Sequence, residues 1–376
     1  MRGITMKSMK PIHKLRRLWI LLAFPVSFAL TVLAARMNGF AEWYAETVYP
    51  AISLAINHMT SQAKFSVGEI FVYFLIIFLI ISIVRLIMRI IRGKGRRGYT
   101  AGKFFVNILC TTGVLLMLFT VDCGINYYRV PFSQSCGLTV KPSKKSELVQ
   151  LCKSLAGDSN TLRKKVSADR LSVMKLHMDS FSQNAEEARK CMDNLSRQYH
   201  MLSPGYSAPK PVLTSKLMSE CNITGMFFPY TFEANVNTDV PDYTIPFTMC
   251  HELSHLRGFM REDEANFIAY LACENSSDAD FRYSGAASAF TYASNALYSA
   301  DTTKANVVFS GLSSGVRKDL QANTDYWNNF KSPAAKASNS VNNRYLKANN
   351  QSDGVQSYGR MVDLLLALQR SKKNTK

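Results

Sequence analysis

Three long apolar stretches fill the first third of the chain. They cover residues 18–35, 65–84 and 104–121. Each is about as long as the roughly 17–25 residues that a helix needs to cross a bilayer. The run from Phe74 to Ile81 has no polar face to turn toward water, which disfavours a buried core helix. The pattern therefore predicts three transmembrane helices, which make residues 1–121 a membrane anchor.

A cleaved signal peptide is the alternative interpretation of the first stretch. No clear small-x-small cleavage site follows it, and two further apolar stretches come after it. A membrane span is therefore the better interpretation.

Basic residues are distributed unevenly around these stretches. Residues 1–17 contain six Lys and Arg and no acidic residue, and residues 85–103 contain seven and no acidic residue. Residues 36–64 are balanced, with two basic and two acidic residues. By the positive-inside rule, the N-terminus and residues 85–103 are expected in the cytoplasm. After three crossings, residues 122–376 are expected outside the cell, as part of a multi-pass plasma-membrane protein.

The formal net charge of +18 follows the same distribution. Thirteen of these charges belong to the two segments expected in the cytoplasm, and five remain for the rest of the chain. Basic residues beside membrane spans contact anionic lipid headgroups. The composition therefore indicates the lipid bilayer as a partner and does not indicate a nucleic-acid surface.

The predicted outer segment is long enough for one large domain. Apolar positions recur with helical spacing at 144–155, 183–201, 313–324 and 358–370. Proline-rich residues 203–211 indicate an extended linker, and residues 332–340 indicate a loop. A short extended run is expected at 225–228, and residues 230–237 alternate as a half-buried strand would. The expected fold class is mainly α with a small β-sheet, an α+β domain after three transmembrane helices.

One motif in this segment carries chemistry. His251 and His255 bracket Glu252 in the order His-Glu-x-x-His. On a helix, residues four apart lie on one face, so both imidazoles can bind a single Zn²⁺ ion. Glu252 then lies near the open coordination position, where it can accept a proton from water and pass it to a leaving amine. The alternative is a chance match on a surface helix.

A third protein ligand has to come from another helix. Gly258 is expected to end the first helix, and the acidic run after Arg261 opens the next. Glu262 is the predicted ligand, and Glu264 is the weaker alternative. Asn266, one turn after Glu262, is predicted to hydrogen-bond a ligand imidazole. The competing interpretation is an acidic helix start that complements the helix dipole without a metal.

The order His-Glu-x-x-His followed by Glu-x-x-Ala-Asn resembles the gluzincin peptidases, in which the first glutamate of the second motif is the third zinc ligand. Many gluzincins carry aspartate at the position of Asn266, and asparagine keeps the hydrogen-bonding oxygen without the charge. Residues 230–283, with the three apolar stretches before them, are similar to an uncharacterised family of bacterial membrane-anchored gluzincin-like proteins. The resemblance implies a zincin-like extracytoplasmic domain, a Zn²⁺ cofactor and peptide or protein substrates.

The same resemblance implies an edge strand, just before the motif helix, that aligns an extended substrate. The residues predicted to form it are Thr231, Phe232, Glu233, Ala234, Asn235, Val236 and Asn237. On physical grounds alone, a free strand edge can pair with a peptide, and a plain internal strand is the open alternative.

Hydrolysis also needs a hydrogen-bond donor for the developing oxyanion besides the metal. Arg282, Tyr283 and Tyr292 follow the second motif helix and can donate. Tyr283 is the preferred candidate, and the alternative is that it has a structural role.

Seven of the eight cysteines lie beyond residue 121. An odd number cannot all pair within one chain. Cys250 and Cys273 lie on the two expected motif helices, where they either form a bridge or pack as small apolar residues.

Together these patterns predict a membrane-anchored zinc metallopeptidase. The alternative from another class is a membrane sensor or scaffold that keeps the zinc site without turnover. Peptide crosslinks of the cell wall are a further candidate substrate, although the sequence contains no recognisable wall-binding repeat.

Overall fold

The computed structural model describes residues 16–37, 39–92 and 97–374. It is mainly helical with one three-stranded sheet, which confirms the predicted mainly α class. Three of its helical segments are long and apolar enough to cross a membrane: Arg17–Arg36, Val67–Arg92 and Arg97–Asp122. They overlap the three predicted spans. Most of the basic N-terminal segment, and residues 93–96 of the second basic segment, lie outside the described residues.

The described residues of the first part of the chain form five α-helices. They are α1 (Ala23–Arg36), α2 (Phe40–Trp43), α3 (Tyr49–Thr60), α4 (Val67–Arg92) and α5 (Arg97–Asp122). A 3-10 helix (Arg16–Leu22) precedes α1, and a π-helix (Tyr44–Val48) joins α2 to α3. α4 is longer than the predicted apolar stretch because its basic end, with Arg89 and Arg92 in the last turn, stays helical.

The second part of the chain forms eleven α-helices among the described residues. They are α6 (Phe132–Ser135), α7 (Lys145–Arg163), α8 (Phe181–Gln198), α9 (Ser215–Glu220), α10 (Ile245–Leu256), α11 (Glu262–Glu274), α12 (Ala279–Ala300), α13 (Thr302–Ser310), α14 (Ser314–Asn328), α15 (Pro333–Ala348) and α16 (Met361–Asn374). The four helices predicted from periodicity correspond to α7, α8, α14 and α16. The predicted loop at 332–340 is wrong, because Ser332 caps α15 through the Ala335 N–H and Pro333 fits its first turn.

The core of this part is built around α10, α11 and α12. These helices pack on one another, α10 and α11 also pack on α8, and α12 packs on α7. α10 and α11 are buried on nearly all sides, including their polar residues. A buried polar side chain is costly unless it has a partner. The motif residues on α10 and α11 therefore have to be satisfied inside the protein.

The sheet consists of three short strands, β1 (Lys210–Pro211), β2 (Gly225–Phe228) and β3 (Glu233–Val236), in the order β1-β3-β2. β1 runs parallel to β3, and β2 runs antiparallel to it. β3 is thus the central strand. Within the described part of the chain, β2 is an outer strand with one free edge.

The prediction that residues 231–237 form a free edge for substrate is therefore wrong. β3 is paired on both sides, and all four of its residues are buried. The alternating pattern was misleading because its polar residues find partners inside the protein. Glu233 forms an ion pair with Lys210, and Asn237 donates to the Ser219 hydroxyl at 2.9 Å.

The segment between the first two membrane helices packs against the domain that follows α5. The Tyr49 hydroxyl donates to the Leu256 carbonyl oxygen at the end of α10, at 3.1 Å. The Asn57 amide donates to the Phe232 carbonyl oxygen at 2.7 Å, beside the sheet. The predicted division at residue 121 stays a prediction, but α2 and α3 share a core with residues beyond it.

The second long apolar helix, α4, is joined directly to the sheet. The Glu233 carboxylate accepts hydrogen bonds from the backbone N–H groups of Val67 and Gly68, at 3.2 and 2.6 Å, in the first turn of α4. Glu69, the acidic residue at the start of the second apolar stretch, accepts from the N–H groups of Leu213 and Thr214, both at 2.9 Å. These bonds fix the start of α4 to the strands beside the motif helices.

Candidate metal centre

The two halves of the predicted metal site lie on neighbouring helices. α10 carries His251 and His255, four residues apart. As predicted, α10 ends just before Gly258, whose φ of +83° lies in the left-handed region that favours glycine. Glu262 is the first residue of α11. The turn therefore returns the Glu262 side chain to the face of α10 that carries both imidazoles.

The three ligand atoms converge on one point. His251 Nε2 lies 3.0 Å from His255 Nε2, and Glu262 Oε2 lies 3.3 Å and 3.6 Å from these two nitrogens. A tetrahedral site with zinc–ligand bonds of about 2.0–2.1 Å has edges of about 3.3–3.4 Å. The observed triangle matches this size. It therefore fits a zinc ion with three protein ligands and one open position.

The hydrogen bonds around the triangle leave its inner atoms free. His255 Nδ1 bonds to the Phe259 carbonyl oxygen at 2.8 Å, which fixes the ring so that Nε2 carries the lone pair toward the centre. Glu262 Oε2 is buried and makes no hydrogen bond among the described residues. A buried carboxylate oxygen without a donor is costly, and a cation at the centre removes that cost.

The charges of the centre favour a cation. Burial alone would raise the pKa of Glu262, but His255 and His251 hold it well below its ordinary value. Burial alone would lower the pKa of His255, but the Glu262 carboxylate raises it to about 9. A divalent ion bound at the centre would supply this positive charge in place of a proton on His255.

Glu252 occupies the position next to the triangle. Its side chain is buried, and burial raises the pKa of its carboxyl above the ordinary value, partly offset by His251 and His255. It lies against β2, since a Cβ placed on Gly225 would be only 2.8 Å from the Cδ of Glu252. Glu252 is not one of the three converging ligands. Its carboxylate can therefore accept and donate a proton beside the three ligands.

The free edge of β2 faces this carboxylate. Asn237 N–H donates to the Thr224 carbonyl oxygen at 2.9 Å, so the hydrogen-bonded pairs of the β2–β3 ladder fall at alternate positions. The N–H and C=O groups of Gly225 and Phe227 consequently point away from β3. The sequence predicts a strand at 225–228 but indicates no role for it, because the order of strands in a sheet is not a local property.

A cleft with a volume of about 630 Å³ leads to the triangle. Its walls come from β2, from α10 to α12, from the end of α5 and from α14 and α15. On the far wall the hydroxyl groups of Tyr127 and Tyr345 lie 2.9 Å apart. No pattern in the sequence indicates this wall, because it brings together side chains more than two hundred residues apart.

The prediction that Tyr283 stabilises an oxyanion is wrong. Tyr283 is 0% exposed, and its hydroxyl donates to Asp319 Oδ2 at 2.5 Å on the other side of α12 from the cleft. Burial and the Asp319 carboxylate raise the pKa of Tyr283 far above its ordinary value. Tyr292, the other tyrosine considered on this helix, lines the cleft.

The structure also decides between the two glutamates of α11 that were predicted as possible ligands. The Glu264 carboxylate accepts the Phe132 N–H at 2.7 Å and pairs with Arg261 at 2.7 Å. It is therefore engaged elsewhere, and Glu262 alone joins the histidines. The alternative ligand Glu264 is excluded by this geometry.

The hydrogen bond predicted from Asn266 to a ligand imidazole is not formed. The Phe259 carbonyl takes that role for His255, and His251 Nδ1 makes no hydrogen bond within the described part of the chain. Asn266 lines the cleft close to the Tyr292 hydroxyl.

Cys250 and Cys273 are neighbours, with their Sγ atoms 3.9 Å apart, and both are free thiols. The two cysteines therefore pack as small apolar groups, which is the second of the two predicted alternatives.

Another group of possible ligands, His177, Asp278 and Asp280, lies at the start of α12. Its carboxylates already accept backbone N–H groups, Asp278 as the cap of α12 and Asp280 from His177, so the buried triangle is the better metal site.

A family model described as a protein of unknown function (DUF3810) matches residues 44–366. The match begins between the first two membrane helices and ends in α16, so it contains the sheet, the cleft and all three ligands. No curated protein and no solved structure matches the chain.

Proposed function

The chain belongs to the DUF3810 family of proteins of unknown function, and from the geometry of its site we propose that it is a membrane-anchored zinc metallopeptidase. One observation carries the proposal. Three buried ligand atoms converge at tetrahedral spacing beside a buried carboxylate that is not one of them. This combination is the minimum that metal-assisted hydrolysis requires.

His251, His255 and Glu262 would hold the zinc ion, which when bound lowers the pKa of water and polarises a substrate carbonyl. Glu252 takes a proton from the attacking water on its carboxylate and returns it to the leaving nitrogen. The backbone groups of Gly225 and the C=O of Phe227, which point away from β3, pair with an extended peptide and hold its scissile bond beside Glu252, which the Phe227 N–H contacts.

An oxyanion donor is also available in the cleft. Tyr292 lies in the cleft wall near Asn266, and a hydroxyl donor at this place can stabilise charge on a carbonyl oxygen. Tyr292 thus takes the role that was predicted for Tyr283. The two tyrosines are two and a half helical turns apart, so they lie on opposite faces of α12.

The catalytic domain is proposed to face the outside of the cell. α2 and α3, between the first two spans, share a core with the domain after the third span, as expected if both lie on one side of the membrane. The basic segments at residues 1–17 and 85–103 belong to the other side, which the positive-inside rule makes cytoplasmic.

A membrane sensor or scaffold that binds zinc without turnover is the second candidate. The hydrogen bonds that Glu233 accepts from the first turn of α4 favour it, because they couple the sheet beside the metal centre to a membrane helix. The two candidates differ in one measurable property, which is peptide hydrolysis by the zinc-loaded protein.

The metal assignment predicts different outcomes for two glutamate variants on α11. Glu262→Gln is expected to lose most of its bound zinc, because it removes the anionic ligand. Glu264→Gln is expected to keep it, since Glu264 bonds to Phe132 and Arg261 instead. Elemental analysis of the full chain purified in detergent measures both. Equal zinc content in the two variants would show that Glu262 is not a ligand.

Hydrolysis completes this test. Wild-type protein is given a random peptide library, both free in solution and attached to vesicles, and its cleavage is expected to stop with a chelator and to return with added zinc. Zinc-loaded protein that cuts neither form of the library contradicts the peptidase proposal and supports the sensor or scaffold.

Gly225→Ala is expected to lower hydrolysis on the order of 10²-fold, because the added methyl group must displace the Glu252 carboxylate, and a shift of about 1 Å at a reacting group can cost that much. Zinc content should not change. Gly157→Ala on α7 is the matched control, since nothing lies within 4 Å of its Cβ position. A Gly225→Ala variant with wild-type activity would contradict the placement of Glu252 against β2.

A further inference from the structure

The free edge of β2 connects the metal centre with the membrane helices. At one end, Gly225 lies against Glu252. At the other end, the centroid of the Phe228 ring lies 6.0 Å from that of the Phe71 ring of α4. The Phe228 ring also contacts Gly68, since a Cβ placed on Gly68 would be only 2.8 Å from a ring carbon. An extended peptide on this edge therefore runs between the metal centre and the domain-side end of α4.

The turn after β2 is attached to the third membrane helix. The Tyr230 ring lies 6.1 Å from the Phe71 ring, and its hydroxyl donates to the Leu115 carbonyl oxygen of α5 at 3.3 Å. Because an α-helix rises 1.5 Å per residue, Leu115 lies about 10 Å before the end of α5 at Asp122. The turn thus reaches along the apolar part of the span.

The cleft itself also extends to this helix. Phe119, in the last turn of α5, lines the same cleft as His251 and Glu262. The described lining residues include no Lys, Arg or Asp, and their only acidic members are Glu252 and Glu262. Away from the metal centre the wall is uncharged and combines aromatic rings with Asn, Ser and Thr side chains. Such a wall suits a peptide segment at the boundary between lipid and water, and offers nothing to select a charged one.

We infer that the substrate is an extended peptide segment joined, within a few residues, to an apolar anchor in the same membrane. This inference rests on the proposed peptidase function. A strand rises about 3.3 Å per residue, so the distance from Gly225 to Phe228 is about 10 Å. A peptide on this edge leaves the metal centre and meets the membrane helices after about three or four residues. The scissile bond is accordingly close to the anchor.

The test uses the full chain in phospholipid vesicles and peptides with about 20 randomised residues, long enough for the far end to reach beyond the membrane surface. One series carries an acyl chain, a second carries a transmembrane helix, and a third has no anchor. Mass spectrometry locates the cuts. Cuts are expected within about eight residues of the anchor, and the series without an anchor is expected to be cut at least about tenfold more slowly. Glu252→Gln gives the background.

Cuts near only one kind of anchor support the inference and identify the source of the substrate. Cuts spread evenly along the peptides, with equal rates for anchored and free series, overturn the inference and leave the peptidase function standing. If no series is cut by zinc-loaded wild-type protein, both the inference and the peptidase proposal fail.

Discussion

Replacing Glu252 with glutamine is expected to lower peptide hydrolysis by about 10²–10⁴-fold, the usual contribution of a general base. Glutamine has nearly the same shape, but it cannot accept a proton from water. Glu252 is only 4% exposed and is not among the three converging ligands, so the variant should fold and bind zinc as the wild type does. The measurement combines zinc content with the rate of cleavage of vesicle-attached and free random peptides.

Glu46→Gln is the matched control for this variant. Glu46 is an exposed glutamate between the first two membrane helices, so its replacement changes the charge by the same amount away from the cleft. It is expected to retain wild-type zinc and wild-type rate. If Glu252→Gln cleaves peptides as fast as Glu46→Gln, the proton carrier is another group. If Glu252→Gln loses its zinc as well, the loss of activity says nothing about proton transfer, and Gly225→Ala becomes the decisive variant.

The parts of the site that were predicted correctly depend on local geometry. The spacing of His251 and His255 places both rings on one helical face, whatever the rest of the chain does. Gly258 and the acidic residues after it mark the end of one helix and the start of the next, which brings Glu262 back to the rings. The three long apolar helices follow in the same way from uninterrupted apolar runs.

The errors concern relations between distant segments. Residues 231–237 alternate like a strand with one solvent-exposed face. In the structure, β1 pairs with one edge of β3 and β2 with the other, and Lys210 of β1 forms an ion pair with the buried Glu233. No pattern within seven residues reports which strands will flank them. The edge that faces the metal centre belongs to β2, whose four residues show no alternation.

The choice between two tyrosines failed for a related reason. Tyr283 and Tyr292 lie nine positions apart on α12, and at 3.6 residues per turn this places them about 180° apart around the helix. Only one of them can face the cleft. Tyr283 is nearer in sequence to the motif, but α11 and α12 pack so that Tyr292 lines the cleft and Tyr283 meets α14. The relative rotation of packed helices is a tertiary property.

Replacing Asp319 with alanine is expected to destabilise the domain by about 3–5 kcal/mol, the typical effect of removing one partner of a buried ion pair. Asp319 is 0% exposed and accepts hydrogen bonds from Arg163 Nε at 2.5 Å, the Tyr283 hydroxyl at 2.5 Å and the Met174 N–H at 2.7 Å. The variant leaves the Arg163 guanidinium buried without its counter-ion. Thermal unfolding of the detergent-purified chain, with zinc present, measures the loss.

Tyr283→Phe separates this structural role from catalysis. It removes the Tyr283 hydrogen bond to Asp319 but keeps the ion pair with Arg163, so it is expected to cost about 1.5–3 kcal/mol, the usual contribution of a hydrogen bond to a charged group. Because the Tyr283 hydroxyl lies outside the cleft, peptide hydrolysis below the unfolding temperature should equal that of the wild type. A Tyr283→Phe variant with normal stability and a large loss of rate would restore the oxyanion role, and would require α12 to turn its opposite face toward the metal centre when substrate binds.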